Sequence, residues 1–277
     1  MSIIANITRL RDSDGNMSLM DHVEALRWHL VRSLAVLIIV SVAVFFHIEW
    51  IFSHILLAPA RQDFVSYKVF CALGTMIHTR ALCFDPFELQ FQNTELSGQF
   101  MMSFSVSFIA GLILAFPYIV WELWRFIKPA LHADEQAKAR GIIFWLSLLF
   151  FTGVAFAYYV IVPFTINFFA TYQLSPQFQN IITISNYYDT LSDLVLGMGV
   201  VFELPVLVYF LSKIGVLTPA LMKRYHKFAI LIIMLIAAVI TPPDWLSIWL
   251  VAIPLTLLYQ VSILISARVQ RKRAAGQ

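Results

Sequence analysis

The chain has 277 residues, 60% of them hydrophobic and 13% charged, with a mean hydropathy of +0.79. Soluble domains carry nearly twice that charged fraction, so the composition excludes an ordinary soluble domain and points to the bilayer as solvent. The net charge of +3 is small, and the bases are spread along the chain rather than clustered, which excludes a nucleic-acid surface.

Residues 1–32 are polar and charged and lack the cleavable apolar core of a secretory signal peptide. Both Met1 and Met17 are possible start sites. Leu19, Val23, Leu26 and Leu30 recur at helical spacing, with Asp21, Glu24 and Arg27 off that stripe. This predicts an amphipathic helix lying on the membrane face and leading into the first span.

A spanning helix needs about 20 mostly apolar residues. The stretches 33–52, 100–124, 142–164, 188–212 and 245–267 qualify. A sixth, 228–240, stops after 13 residues at Thr241-Pro242-Pro243. At about 1.5 Å per residue it reaches roughly 20 Å, short of the roughly 30 Å hydrocarbon core. Its crossing is decided by charge. If all six stretches cross, sixteen of the nineteen Lys and Arg fall on one side, in 1–32, 125–141, 213–227 and 268–277. Arg61, Lys68 and Arg80 remain on the other. The positive-inside rule then places both termini in the cytoplasm, and the short stretch is a true span with the bilayer thinned around it. The expected organisation is a cytoplasmic segment 1–32, a membrane domain 33–267 and a basic tail 268–277. The seven tryptophans fall near span ends, where an aromatic belt is expected.

Residues 53–99 form an outside loop too long to be a mere connector. They hold both cysteines, Cys71 and Cys83. An oxidising outer space favours a disulfide between them over two unpaired thiols.

Further along, WRFIKPALHADEQAKAR at 124–140 sets Asp134 and Glu135 among four bases, after the helix-ending Pro129. Topology explains the bases. A carboxylate beside an apolar platform suits a cationic peptide with hydrophobic neighbours. In MGVVFELPVLVYFL at 198–211, Glu203 is the one acid noted at mid-span. A charge there costs about 2.5–3.5 kcal/mol on insertion scales. Pro205 has no N–H to give to the carbonyl of Val201, so this helix is bent beside the carboxyl group. Gly199, one turn earlier, leaves room on that face. Two readings follow: a polar docking site within the bundle, or a hydrogen-bonded Glu that only holds helices together.

Enzyme signatures are absent from the sequence: no HExxH, no GxSxG, no phosphate-binding glycine loop. The seven histidines lack metal-ligand spacing. The chain is therefore expected to be no enzyme and to need no metal or cofactor.

These motifs together resemble the TatC family, the multispanning receptor subunit of the twin-arginine protein translocase. HVEALRWHL at 22–30 is similar to its N-terminal motif, LAP at 57–59 to its first-loop proline site, and WRFIKPALHADE to its first cytoplasmic loop. FELP at 202–205 is similar to its intramembrane glutamate motif, and TPPD at 241–244 to its short turn. The resemblance implies an all-α, six-helix, cup-shaped bundle in the bacterial inner membrane. It implies that Glu135, Arg27, Phe126, Pro129, Leu131 and Glu24 recognise signal peptides bearing two consecutive arginines. It makes Glu203, with Pro205, the intramembrane site and Pro59 the first-loop proline. The implied partners are cargo signal peptides, single-span TatA-family and TatB-like proteins, other copies of the chain and membrane lipid. One departure stands out: Ala25 occupies the family's usual Glu position, and Glu24 is turned about 100° from it, leaving Glu135 to carry more of the recognition. The competing reading is a secondary transporter using Glu203 as a proton or ion site. It calls for internal repeats and paired broken helices, neither of which is visible.

Overall fold

The computed structural model describes residues 19–76, 78, 83–84, 87, 89–127, 139–175, 177, 180–241 and 245–274. Helix α1, Leu19–Phe45, is continuous. No proline or glycine interrupts these 27 residues, so the expected surface helix and the first span are one rod, and the apolar part begins at Glu24. The chain turns at Phe46–His47 and continues as α2 (Ile48–Ile51), a wide π turn (Phe52–Leu56) and a 3₁₀ turn (Ala58–Ala60) that contains the buried Pro59. Helix α3, Val65–Met76, covers this end of the molecule. A disulfide joins Cys71 of α3 to Cys83, with Cα atoms 4.2 Å apart.

The second span is α4, Gly98–Ile127. The third combines α5 (Ala139–Phe156), a π turn (Ala157–Ile161) and α6 (Val162–Thr171). Pro163 near the start of α6 cannot donate to the preceding turn, and the helix widens there. The fourth combines α7 (Ile184–Val201) and α8 (Leu204–Ile214), broken at Phe202–Glu203 one residue before Pro205 is reached in α8. Gly215, with φ 88°, ends α8 in the left-handed conformation, and Val216 N–H returns to Leu211 O at 2.9 Å. A short α9 (Pro219–Arg224) is capped by the Thr218 hydroxyl. Then come the short apolar α10 (His226–Ile240) and the last span α11 (Trp245–Ala274), which carries Arg268, Arg271 and Lys272 within the same helix. Five helical units are long and apolar enough to cross a bilayer and α10 is the sixth, shorter one. Among the described residues, the departure from an all-α chain is a parallel pair of three-residue strands, β1 (Gln90–Gln92) and β2 (Ile181–Thr183), in register Phe91 to Ile182.

The core lies where the third, fourth and last spans meet: Ala157, Ile161, Met198, Val251 and Leu255 are fully or almost fully buried. The close approach of α5 and α7 depends on two glycines. A Cβ on Gly153 would stand 2.6 Å from the Met198 carbonyl, and one on Gly199 would stand 2.8 Å from the Phe150 ring. Some polar side chains inside pair across helices, as in Ser212 to Ser266 (2.8 Å) and Thr165 with Ser247 (3.1 Å). Outward positions such as Ile39, Leu235 and Val239 are exposed and apolar, as a lipid-facing surface requires. Trp124 departs from the expected belt: it is buried, near Phe210, while Trp28, Trp50, Trp121, Trp145 and Trp249 do face outward.

Tyrosine hydroxyls close the gaps left where the chain leaves the first span. Tyr158 donates to Ile55 O (2.6 Å), Tyr187 to Leu56 O (2.7 Å) and Tyr67 to Pro59 O (2.8 Å). Burial pushes the Tyr67 hydroxyl well above the usual phenol range, so it stays a donor. Tyr187→Phe strands the buried Leu56 carbonyl and should cost about 1–2 kcal/mol. Thermal unfolding in detergent reads this. Tyr158→Phe, at an exposed bond, should cost less, and equal losses would contradict the account.

Candidate functional site

Most of the bases described by the structure gather at one end, carried by α1, α4, α8, α9, α10 and α11, while Arg61 and Lys68 lie at the other. At this basic end α1 and α4 pack along each other more extensively than any other pair of elements. Their contact is closed by Glu122, a carboxylate on α4 that is 1% exposed. Its Oε2 accepts from the Nδ1–H of His29 on α1. Its Oε1 accepts from the Tyr118 hydroxyl at 3.1 Å and from Arg125 at 3.2 Å. Arg32 of α1 stands 3.9 Å from Oε2. A buried carboxylate is tolerated when its oxygens are bonded and its charge opposed, and both conditions hold here.

The clamp places the residues around it. His29 meets the Phe126 ring edge-on, with centroids 6.2 Å apart. Arg125 lies over the Trp121 ring at 5.0 Å, and Arg27 over Trp28 at 5.9 Å. Arg27 and Glu24 are exposed, while Ala25 is half-buried. So position 25 turns toward the bundle and Glu24 away from it, the 100° difference expected of neighbours on a helix. Of the predicted recognition residues, Glu24, Arg27 and Phe126 are thus at the basic end. Pro129, Leu131 and Glu135 lie outside the described residues, as does Pro242-Pro243-Asp244.

Glu203 is elsewhere, at the break between α7 and α8. Its carboxylate oxygens are buried and complete no hydrogen bond among the described residues. Pro205 is buried beside it. Pro59, Cys71 and Cys83 belong to the opposite, cap end. No cluster of three metal-ligating side chains occurs among the described residues.

The reading of Glu203 as the one acid at membrane depth needs correction. Glu122 lies within the second span, and Asp189 and Asp193 lie within the fourth. Glu122 was hidden inside an apolar run, WELW, whose partner His29 is 93 residues away. The signal was available in the sequence: a lone acid near a span end, with His29 and Arg32 in the preceding helix.

Residues 21–254 match the family described as Sec-independent protein translocase protein (TatC). The chain belongs to the TatC family. A TatC of Blattabacterium from Periplaneta americana is 39% identical over 266 residues, covering 95% of this chain and all of its own. A TatC of Helicobacter pylori strain J99 is 44% identical over 169 residues, covering 61% of this chain and 68% of its own. A solved crystal structure of the twin arginine translocase receptor TatC superposes with a TM-score of 0.71 at 28% identity, covering 90% of this chain and 99% of that one. The chain is therefore a multi-pass membrane subunit of the Sec-independent, twin-arginine protein translocase, and the secondary-transporter reading is set aside. Within this TatC chain, Glu122→Ala removes the shared acceptor of His29, Tyr118 and Arg125. It should lower thermal stability in detergent by about 1–3 kcal/mol and free α1 from α4. Glu122→Gln keeps an acceptor and should lose less. A cysteine at Ser33 whose labelling rate is unchanged by Glu122→Ala would contradict the clamp.

Proposed function

We propose that the basic end of this TatC chain is the docking face for cargo signal peptides bearing two consecutive arginines. The observation that carries the reading is the Glu122–His29 clamp, which sets Phe126 against α1 at the end of α4, directly before residues 128–138. In this reading Phe126, with Pro129 and Leu131, supplies the apolar platform, and Glu135 supplies the carboxylate. A guanidinium forks onto a carboxylate through two hydrogen bonds, which an ammonium cannot copy, so Arg-Arg is preferred to Lys-Lys. The basic end faces the cytoplasm of a bacterial inner membrane, as the positive-inside rule requires. Single-span TatA-family and TatB-like proteins and further copies of the chain assemble around it.

Glu203 has a separate role in this reading: its unbonded carboxyl group at the helix break receives a polar group of a partner helix or of the inserting signal peptide. Buried acceptors without donors cost free energy until a partner supplies one.

Signal-peptide cross-linking in membranes tests the docking face. Glu135→Arg should abolish the cross-link by like-charge repulsion, Glu135→Gln and Phe126→Ala should weaken it, and Glu24→Gln should have a much smaller effect. Raised salt should weaken binding, since the contact is partly exposed. Parent-level cross-linking by Glu135→Arg would defeat the proposed face.

Glu203→Gln should insert and fold, because an amide is cheaper to bury than a carboxylate. Cross-links from the fourth span to partner helices should weaken or move. Unchanged cross-links together with unchanged export of a twin-arginine reporter would leave Glu203 as packing alone.

A further inference from the structure

Near the cap end, α4 and α7 diverge around a groove of about 360 Å³. Phe104 and Phe108 of α4 line one wall, both about half exposed. Tyr188, Asp189, Ser192 and Asp193 of α7 line the other. Asp189 and Asp193 are exposed, one helical turn apart. Neither forms an ion pair among the described residues. Like charges at this spacing destabilise a helix, and charge at membrane depth calls for a partner. Tyr188 and Ser192 are 5% and 4% exposed, and their hydroxyls have no hydrogen-bond partner outside that pair. Two acceptors with charge and two hydroxyls with bonding capacity to spare therefore line one notch, and no base among the described residues lines it.

The complementary surface is on α3. Its inner face, with Tyr67 and Gly74, is buried against the bundle. Its outer face presents Val65 (61% exposed), Val69 (48%), Leu73 (46%) and Met76 (75%), with exposed Lys68 in the same stripe. Lys68 has no ion pair among the described residues. Arg61, the other described base of the cap, is already turned to the Ser53 carbonyl at 2.9 Å. The heights agree. Tyr67 reaches Pro163 O at 3.4 Å and Phe70 packs on Phe164, seven or eight residues from the cap end of the third span. Asp189 and Asp193 are five and nine residues from the cap end of the fourth. At about 1.5 Å per residue all of these fall within one layer roughly 15 Å deep.

We propose that the apolar face of α3 in one copy packs into the α4–α7 groove of a second copy, with Lys68 reaching Asp189 and Asp193. Phe104 and Phe108 cover the valine and leucine side chains, and the ammonium gives charge-assisted hydrogen bonds to the carboxylates. Two copies in one membrane hold these surfaces at the same depth. The two faces are different patches of the molecule, so the contact is head-to-tail, and repeated it builds a ring or a chain rather than a closed pair. The proposal gives a surface to the self-association in the reading above. It is independent of signal-peptide binding at the opposite end, which is scored separately by cross-linking.

The test uses full-length chains carrying two different tags, expressed together and recovered from solubilised membranes in the absence of added cargo. Lys68→Glu, or Asp189→Lys with Asp193→Lys, should lower recovery of mixed-tag complexes about tenfold. A chain carrying Lys68→Asp and Asp193→Lys together should regain most of it. In membranes, Lys68→Cys in one copy and Asp193→Cys in the other should form an intermolecular disulfide under mild oxidant. Three results would overturn the proposal: recovery unchanged by the single reversals, no regain in the exchanged chain, or no 68–193 disulfide. A fourth is loss of bound phosphatidylethanolamine from Asp189→Asn/Asp193→Asn with copy pairing intact, which would put a lipid amine in the groove instead.

Discussion

The hydroxyl of Tyr187 bonded to the carbonyl of Leu56 shows the constraint under which this molecule is built. In hydrocarbon a backbone acceptor has no water to turn to, so a spanning helix can change pitch only where other parts of the protein cover the change. The chain changes pitch at Phe52–Leu56, at Ala157–Ile161 and at Phe202–Glu203. The first change is covered from the third and fourth spans and from the cap by three tyrosines. The second lies in the most deeply buried part of the core, with Ala157 and Ile161 at 0% exposure. These bonds explain why the cap is fastened to the bundle through backbone carbonyls more than through ion pairs.

The carboxylates inside the bundle divide by how they are answered. Glu122 has donors on both oxygens from two helices, and the result is a rigid joint between α1 and α4. Glu203 has a helix break, a close glycine crossing and no completed bond. A satisfied group fixes geometry; an unsatisfied one holds interaction free energy in reserve for something outside the chain. A subunit that assembles with other membrane proteins has use for both kinds, and here they lie at different depths.

Much of this architecture was legible in the residues. The placement of sixteen bases argued for six crossings and identified α10 as a span despite its length, while the contrast of Glu203 and Pro205 with their apolar neighbours marked the broken helix. Both signals are local or cumulative, so they survive in one dimension. Glu122 did not, because its meaning depends on His29 in another helix. The tyrosine bonds to Ile55 and Leu56 join residues more than a hundred positions apart, and the pairing of Phe91 with Ile182 comes from strands of three residues, too short to leave a period. The continuity of α1 was readable from the absence of Gly and Pro; the amphipathic stripe at its start obscured it.

The shortness of α10 has an electrical consequence. Its 15 residues rise about 22 Å, against roughly 30 Å for an ordinary hydrocarbon core. In a bilayer matched to α10, the same transmembrane voltage drops across a thinner slab, and the local field is stronger by about 1.4-fold. The image-charge barrier to a polar or ionised group falls along the same stretch. Electrical work on a group carried past α10 would then be done over a shorter distance, beside one wall of the protein.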